Sequence, residues 1–177
     1  MDKILSKNTQ LKWQSQLAAP AGRQIWEIYM TDLDCPEGAV AMGQGLPTVL
    51  VAALALIDVD GRVLIAQRPE GKSMAGLWEF PGGKVEAGEL PEEALIREAK
   101  EELNIDITAS CLSPFAFASH SYEKFHLLMP LYLCRKWDGL VQGMENQATK
   151  WVKISDLRHY PMPPADDPLV AMLRDFF

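Results

Sequence analysis

Residues 83–105 read GKVEAGELPEEALIREAKEELNI, and within them Glu98, Glu101 and Glu102 fall at i, i+3 and i+4. On a helix that spacing puts all three carboxylates on one face. Such a helix would stop near Asn104, so the acids crowd its last turns, where the macrodipole disfavours negative charge. Like charges at this spacing repel by about 0.2–0.5 kcal/mol per pair. An arrangement that costs stability without a packing gain points to a functional site. Clustered carboxylate oxygens suit a hard divalent cation. No Ser/His/Asp or Cys/His pattern offers a rival covalent chemistry, and His120, His126 and His159 lack metal-ligand spacing.

The elements that must position these acids are legible nearby. Pro91 falls where proline favours a helix start. Leu95, Ile96, Ala99 and Leu103 form its apolar stripe, and Asn104 can take the left-handed conformation that ends it. Upstream, residues 48–57 (TVLVAALALI) are an apolar run of strand length. Asp60-Gly61 is a hairpin turn signal before residues 63–68, VLIAQR. A loop, a short WEF strand and the loop Pro81-Gly82-Gly83 lead into the helix. The position of those glycines favours a phosphate and metal loop. Strand-like runs return at 105–109, 115–120, 126–134 and 150–154. Residues 166–177 read as a helix with Leu169, Met172, Leu173 and Phe176 on one side. The pattern predicts an α+β fold, a mixed β-sheet sandwiched between α-helices.

The chain has 177 residues, of which 48% are hydrophobic, enough for one domain with a sizeable core. Residues 46–177 are expected to form it. Residues 1–45 read as an N-terminal extension without chemistry, mixing an amphipathic stretch at 11–29 with the segment CPEGAVAMGQGLP. A net charge of −7 argues against polymeric nucleic acid as partner, but not against a phosphorylated small molecule neutralised by metal. Cys35, Cys111 and Cys134 are odd in number and widely spaced, which argues against a disulfide framework or a zinc site and fits a reducing compartment. No apolar run reaches the roughly 18 residues of a membrane helix. The expectation is a cytoplasmic protein without membrane contact, a monomer or weak homodimer.

The acidic segment resembles the Nudix box, G-x(5)-E-x(7)-R-E-U-x-E-E-x-G-U, where U is a bulky aliphatic residue. Gly83, Glu89, Arg97, Glu98, Glu101, Glu102 and Ile105 match in register, while Ala99 is small for its position and Asn104 replaces glycine. Residues 66–89, AQRPEGKSMAGLWEFPGGKVEAGE, are similar to the MutT branch of that family, and so is PPADDPLV near the C-terminus. The resemblance spans about residues 47–177. It implies the Nudix fold and a metal-dependent nucleoside triphosphate pyrophosphohydrolase.

The resemblance also implies roles. Glu98, Glu101, Glu102 and the Gly82 carbonyl would hold Mg2+, with Mn2+ a possible substitute. Arg97 would orient the acids, and Glu89 would brace the loop–helix junction. Glu145, in QGMENQ, would reach the site from a distant loop and position or deprotonate the attacking water, with Glu98 and Glu102 as rivals for that base. Arg68 would contact the nucleotide, with Ser73, Glu79, Phe80, Pro81 and Gly82 lining the pocket.

Asp166 falls where MutT-branch enzymes read the base edge, and better-studied members carry asparagine there. An amide both donates and accepts, whereas an ionised carboxylate only accepts. The simpler role for Asp166 is a helix N-cap before Pro168, and the two are compatible. The leading expectation is hydrolysis of oxidised purine nucleotides, 8-oxo-dGTP to 8-oxo-dGMP and pyrophosphate. CTP or a modified pyrimidine nucleotide is the alternative that Asp166 motivates. A non-catalytic Nudix-fold binding module is the third.

Overall fold

The computed structural model describes residues 45–177. The expected N-terminal extension, with its amphipathic stretch at 11–29 and Cys35, lies outside them except for its last residue. The first apolar run forms β1 (Thr48–Leu56), followed by β2 (Arg62–Gln67), β3 (Trp78–Glu79) and β4 (Gly82–Lys84). The acidic segment is helix α1 (Pro91–Leu103). Then come β5 (Leu112–Ser121), β6 (His126–Cys134), β7 (Thr149–Lys153) and helix α2 (Asp167–Phe176). Among the described residues no helix is long and apolar enough to cross a membrane.

The strands divide between two sheets. A four-stranded mixed sheet has the order β4-β1-β6-β5, and a three-stranded sheet has the order β3-β2-β7. Strand β1 runs parallel to β6 and antiparallel to β4. Its run is continuously apolar because it is buried on both faces. Ala53 and Ala55 face one core with Leu169 and Leu173 of α2, while Ala52, Leu54 and Leu56 face a second core with Leu95, Ala99 and Leu103 of α1. Helices thus cover both sides, as an α+β sandwich requires.

The Asp60-Gly61 turn forms, with Gly61 at φ 73° and the Asp58 carboxylate accepting from the Asp60 and Arg62 amides. The hairpin does not continue. A single bridge, Ile57 to Val63, closes it before β1 and β2 part into different sheets. Three further expectations need correction. Residues 105–109 are not a strand, although Ile105 and Ile107 alternate inward like one. Their backbone caps α1 and makes one bridge, Asp106 to Asp138, before a 3-10 turn at Ala109–Cys111. Gly82 and Gly83 lie not in loop but in β4, paired with Ala53 and Ala52. The buried side of α2 is Leu169, Val170 and Leu173, while Met172 and Phe176 are exposed.

Candidate active site

Helix α1 begins and ends as its local chemistry dictates. Pro91 occupies its first turn, and the Glu93 carboxylate accepts from the Leu90 amide at 2.8 Å. Asn104 closes it at φ 55°, with its own amide donating to the Lys100 carbonyl. The last carbonyls are covered from a distance. The amides of Gln142 and Met144 and the Gln147 side chain donate to the carbonyls of Leu103 and Glu102, at 2.9–3.1 Å. These bonds pin the 142–147 loop to the end of α1 and bring Glu145 beside the acidic face.

Arg97 organises the start of that face. Its guanidinium forms a bidentate pair with Glu89 at 3.0 Å and reaches Glu98 at 2.7 Å, Glu101 at 3.4 Å and the Lys84 carbonyl at 3.1 Å. The bond to Glu89 holds the Glu89 carboxyl below its usual range and pushes the guanidinium further up. Gly82 is sterically required by the backbone of β1, and Gly83 leaves room for the Glu98 carboxylate. A Cβ on Gly82, at φ 146°, would lie 2.1 Å from the Ala52 carbonyl, and one on Gly83 would lie 2.0 Å from the Glu98 carboxylate.

A cleft of about 650 Å³ runs across these parts. Arg68, Ser73, Glu79, Phe80, Pro81, Gly82, Glu98, Glu101, Glu102, Glu145 and Asp166 all line it, while Arg97 stands behind the acids and bonds to them. Arg68 pairs with Glu79 and donates to the Ser73 carbonyl at 2.6 Å. Ser73 thus contributes its backbone to the loop.

At the far end Asp166 is 4% exposed. It occupies the N-cap position of α2 but makes no side-chain cap bond, and it lines the cleft. Burial and the neighbouring charges of Glu79 and Asp167 push its carboxyl up to about 7, partly offset by the Phe80 amide and Arg68.

Residues 52–172 match the NUDIX domain. The chain belongs to the Nudix family. It is 42% identical over 118 residues to CTP pyrophosphohydrolase of Escherichia coli strain K12, covering 66% of this chain and 84% of that protein. It is 34% identical over 115 residues to 8-oxo-dGTP diphosphatase of the same strain, covering 65% and 88%. A solved MutT structure from work on Aliivibrio salmonicida and Vibrio cholerae superposes with TM-score 0.63 at 37% identity, covering 73% of this chain and 99% of that one. The chain is therefore a Nudix pyrophosphohydrolase of the MutT type.

The Nudix acids carry unbalanced charge. Burial, then the charges of Glu98, Glu145 and Glu79, push Glu102 up to about 7, against which the Gly82 amide weighs only partly. Among the described residues no three His, Cys, Asp or Glu side chains converge into a ready-made metal cage. Glu98 and Glu101 lean on Arg97, and the Glu101 side chain is 61% exposed. The donor set still fits a hard dication, because oxygen ligands line one cleft and Glu102 lacks a compensating charge.

This charge state predicts a stability profile. Glu102 and Asp166 have folded pKa values near 7, above their unfolded ones. Their contribution is fully present below the unfolded pKa and is lost as pH rises through the folded pKa. Metal-free protein should therefore lose about 5–10 °C of Tm between pH 5 and pH 8. Asp58 and Glu89, whose values are lowered, act below that window. Added Mn2+ should raise Tm more at pH 8 than at pH 5, because it favours the ionised carboxylates. Scanning calorimetry reads both effects, and a flat profile insensitive to Mn2+ would contradict the charge imbalance.

Three residues of the Nudix cleft escaped the sequence reading. Lys72 pairs with Glu145 across the cleft. Tyr122 lines the cleft, and burial, then the charge of Asp166, raises its phenol. Gln147 ties the Glu145 loop to α1. Lys72 sits in a segment already similar to MutT, and its charge was the one available signal. Tyr122 and Gln147 carried none.

Proposed function

We propose that this protein hydrolyses oxidised purine nucleoside triphosphates, 8-oxo-dGTP to 8-oxo-dGMP and pyrophosphate, using Mg2+ with Mn2+ as a substitute. Asp166 carries the base assignment. A buried carboxyl near pKa 7 is substantially protonated at neutral pH, so it can donate and accept as the MutT-branch asparagine does.

Glu98, Glu101, Glu102 and the Gly82 carbonyl are the proposed metal ligands, and their crowding in one cleft supports this. When bound, the metal would neutralise charge that develops on the phosphates in the transition state. Arg97 holds Glu98 and Glu101 in place. Arg68 meets the nucleotide from the 68–77 loop. Phe80, 4% exposed, walls the base end together with Pro81. A carboxylate of Glu145, Glu98 or Glu102 orients the water and accepts its proton. The water attacks in line at the β-phosphorus, and the nucleoside monophosphate leaves.

CTP is the second reading, favoured by the same residue in its other state. An ionised carboxylate accepts from the cytosine amine. The 42% identical relative is a CTP pyrophosphohydrolase. A substrate panel with purified protein and Mg2+ decides between them, scored by monophosphate and pyrophosphate. The expected order is 8-oxo-dGTP well above dGTP and CTP in kcat/KM. A far higher kcat/KM for CTP overturns the purine reading.

A further inference from the structure

Loop 68–77 is a hydrogen-bonded frame that carries the charge of Lys72. The Arg68 amide donates to the Leu77 carbonyl at 2.9 Å, Gly76 donates back to Arg68 at 3.0 Å, and the Arg68 guanidinium holds the Ser73 carbonyl. Gly71 and Gly76 at φ 85° and 84°, and Met74 at 58°, give the chain its reversal. Lys72 projects from this frame and pairs with Glu145, 73 residues away, on the loop pinned to the end of α1. The pair joins the two loops that line the cleft.

The two halves of this pair differ in freedom. Glu145 is tethered, because its amide donates to the Gln147 side chain, which in turn holds the Glu102 carbonyl. Lys72 has a four-carbon stem that swings without moving its loop. The side chains are 51% and 44% exposed, so the pair resembles surface ion pairs worth about 0–1 kcal/mol. A triphosphate tail offers several negative charges and more acceptor oxygens than the single carboxylate of Glu145, so it competes well for the ammonium. Arg68, the other cation of this loop, is held by Glu79 and the Ser73 carbonyl and is 25% exposed against 51% for Lys72, so it meets the nucleotide from a set position while Lys72 is the more accessible cation. Lys72 lies close enough to Glu102, Glu79 and Arg68 to share their field.

We propose that Lys72 is a positioning residue for the triphosphate tail, exchanging its partner Glu145 for a phosphoryl oxygen of bound substrate. The exchange frees the Glu145 carboxylate when a tail is present to be cut. It also makes a nucleoside monophosphate, which lacks that tail, a poor trigger. The inference rests on the proposed triphosphate chemistry.

Lys72→Met, which keeps the stem, and Lys72→Arg test it by calorimetric titration in Mg2+. The probes are the α,β-imido analogues of dGTP and CTP, set against dGMP and CMP. Lys72→Met should weaken the triphosphate analogue that binds by about tenfold, leave its monophosphate within about twofold, and be rescued by Lys72→Arg. Nucleotide-free Lys72→Met should also bind Mn2+ at least about threefold more tightly, since Glu145 has lost its counter-charge. Equal weakening of triphosphate and monophosphate would make Lys72 a loop brace and overturn the proposal, as would unchanged affinity for both. If the wild type cleaves no nucleoside triphosphate while holding the analogues, the functional reading fails and this inference with it. If the wild type cleaves them and Lys72→Met behaves like it, only this inference fails.

Discussion

Glu102→Gln should lower kcat for pyrophosphate release by about a thousandfold or more, with the Tm unchanged or raised. The first half follows from charge. Glu102 is the acid of the helical triad pushed up to about 7, by burial and by the charges of Glu98, Glu145 and Glu79. Such a group is poised either to hold a dication as a carboxylate or to take a proton near neutral pH. The amide can do neither. Losing one group that stabilises developing charge typically costs a hundredfold to a thousandfold, and losing a metal ligand as well adds to it. The second half follows from the same numbers with opposite sign. Glutamine fills nearly the same volume and removes a source of like-charge repulsion, so the fold has nothing to lose. Steady-state kinetics with the substrate found in the panel and a thermal melt measure both. Full activity in the variant would mean that Glu102 neither holds the metal nor takes the proton; a wild type that binds nucleotide and releases no pyrophosphate would revive the non-catalytic binding module.

Asp166→Asn should shift base preference rather than abolish activity. A guanine-type edge oxidised at C8 flanks its N7–H donor with two carbonyl oxygens, and an ionised carboxylate facing it is repelled by both. A neutral group that donates and accepts is not. The cytosine amine, by contrast, donates to an oxygen of either form. In the wild type the ratio of kcat/KM for 8-oxo-dGTP over CTP should therefore fall from pH 6 to pH 8, as Asp166 ionises around its value near 7. In Asp166→Asn the ratio should stay flat with pH and exceed the wild-type ratio at pH 8 by about tenfold. Glu102 titrates in the same range, but it serves both substrates and cancels in the ratio. A wild-type ratio that is flat with pH would mean that Asp166 does not read the base.

The sequence by itself determined what local chemistry can determine. Pro91 and Asn104 bound α1 because a fixed φ and a tolerance of the left-handed region act within one or two residues. The face shared by Glu98, Glu101 and Glu102 follows from helical spacing alone. The apolar run at 48–57 announced a strand by its length and composition. Tertiary packing decided the rest, because the deciding contacts join residues far apart. Alternation at 105–109 mimicked a strand, yet the backbone there was already spent on capping α1. A turn signal at Asp60-Gly61 could not say that β1 and β2 part into two sheets. Asp166 looked like an N-cap from its neighbours, and only the closing of the cleft around it turned a capping carboxylate into a buried one near neutrality. The Lys72–Glu145 pair lies beyond any spacing rule, since it exists because one loop is tied to the end of α1 and the other folds back around Arg68.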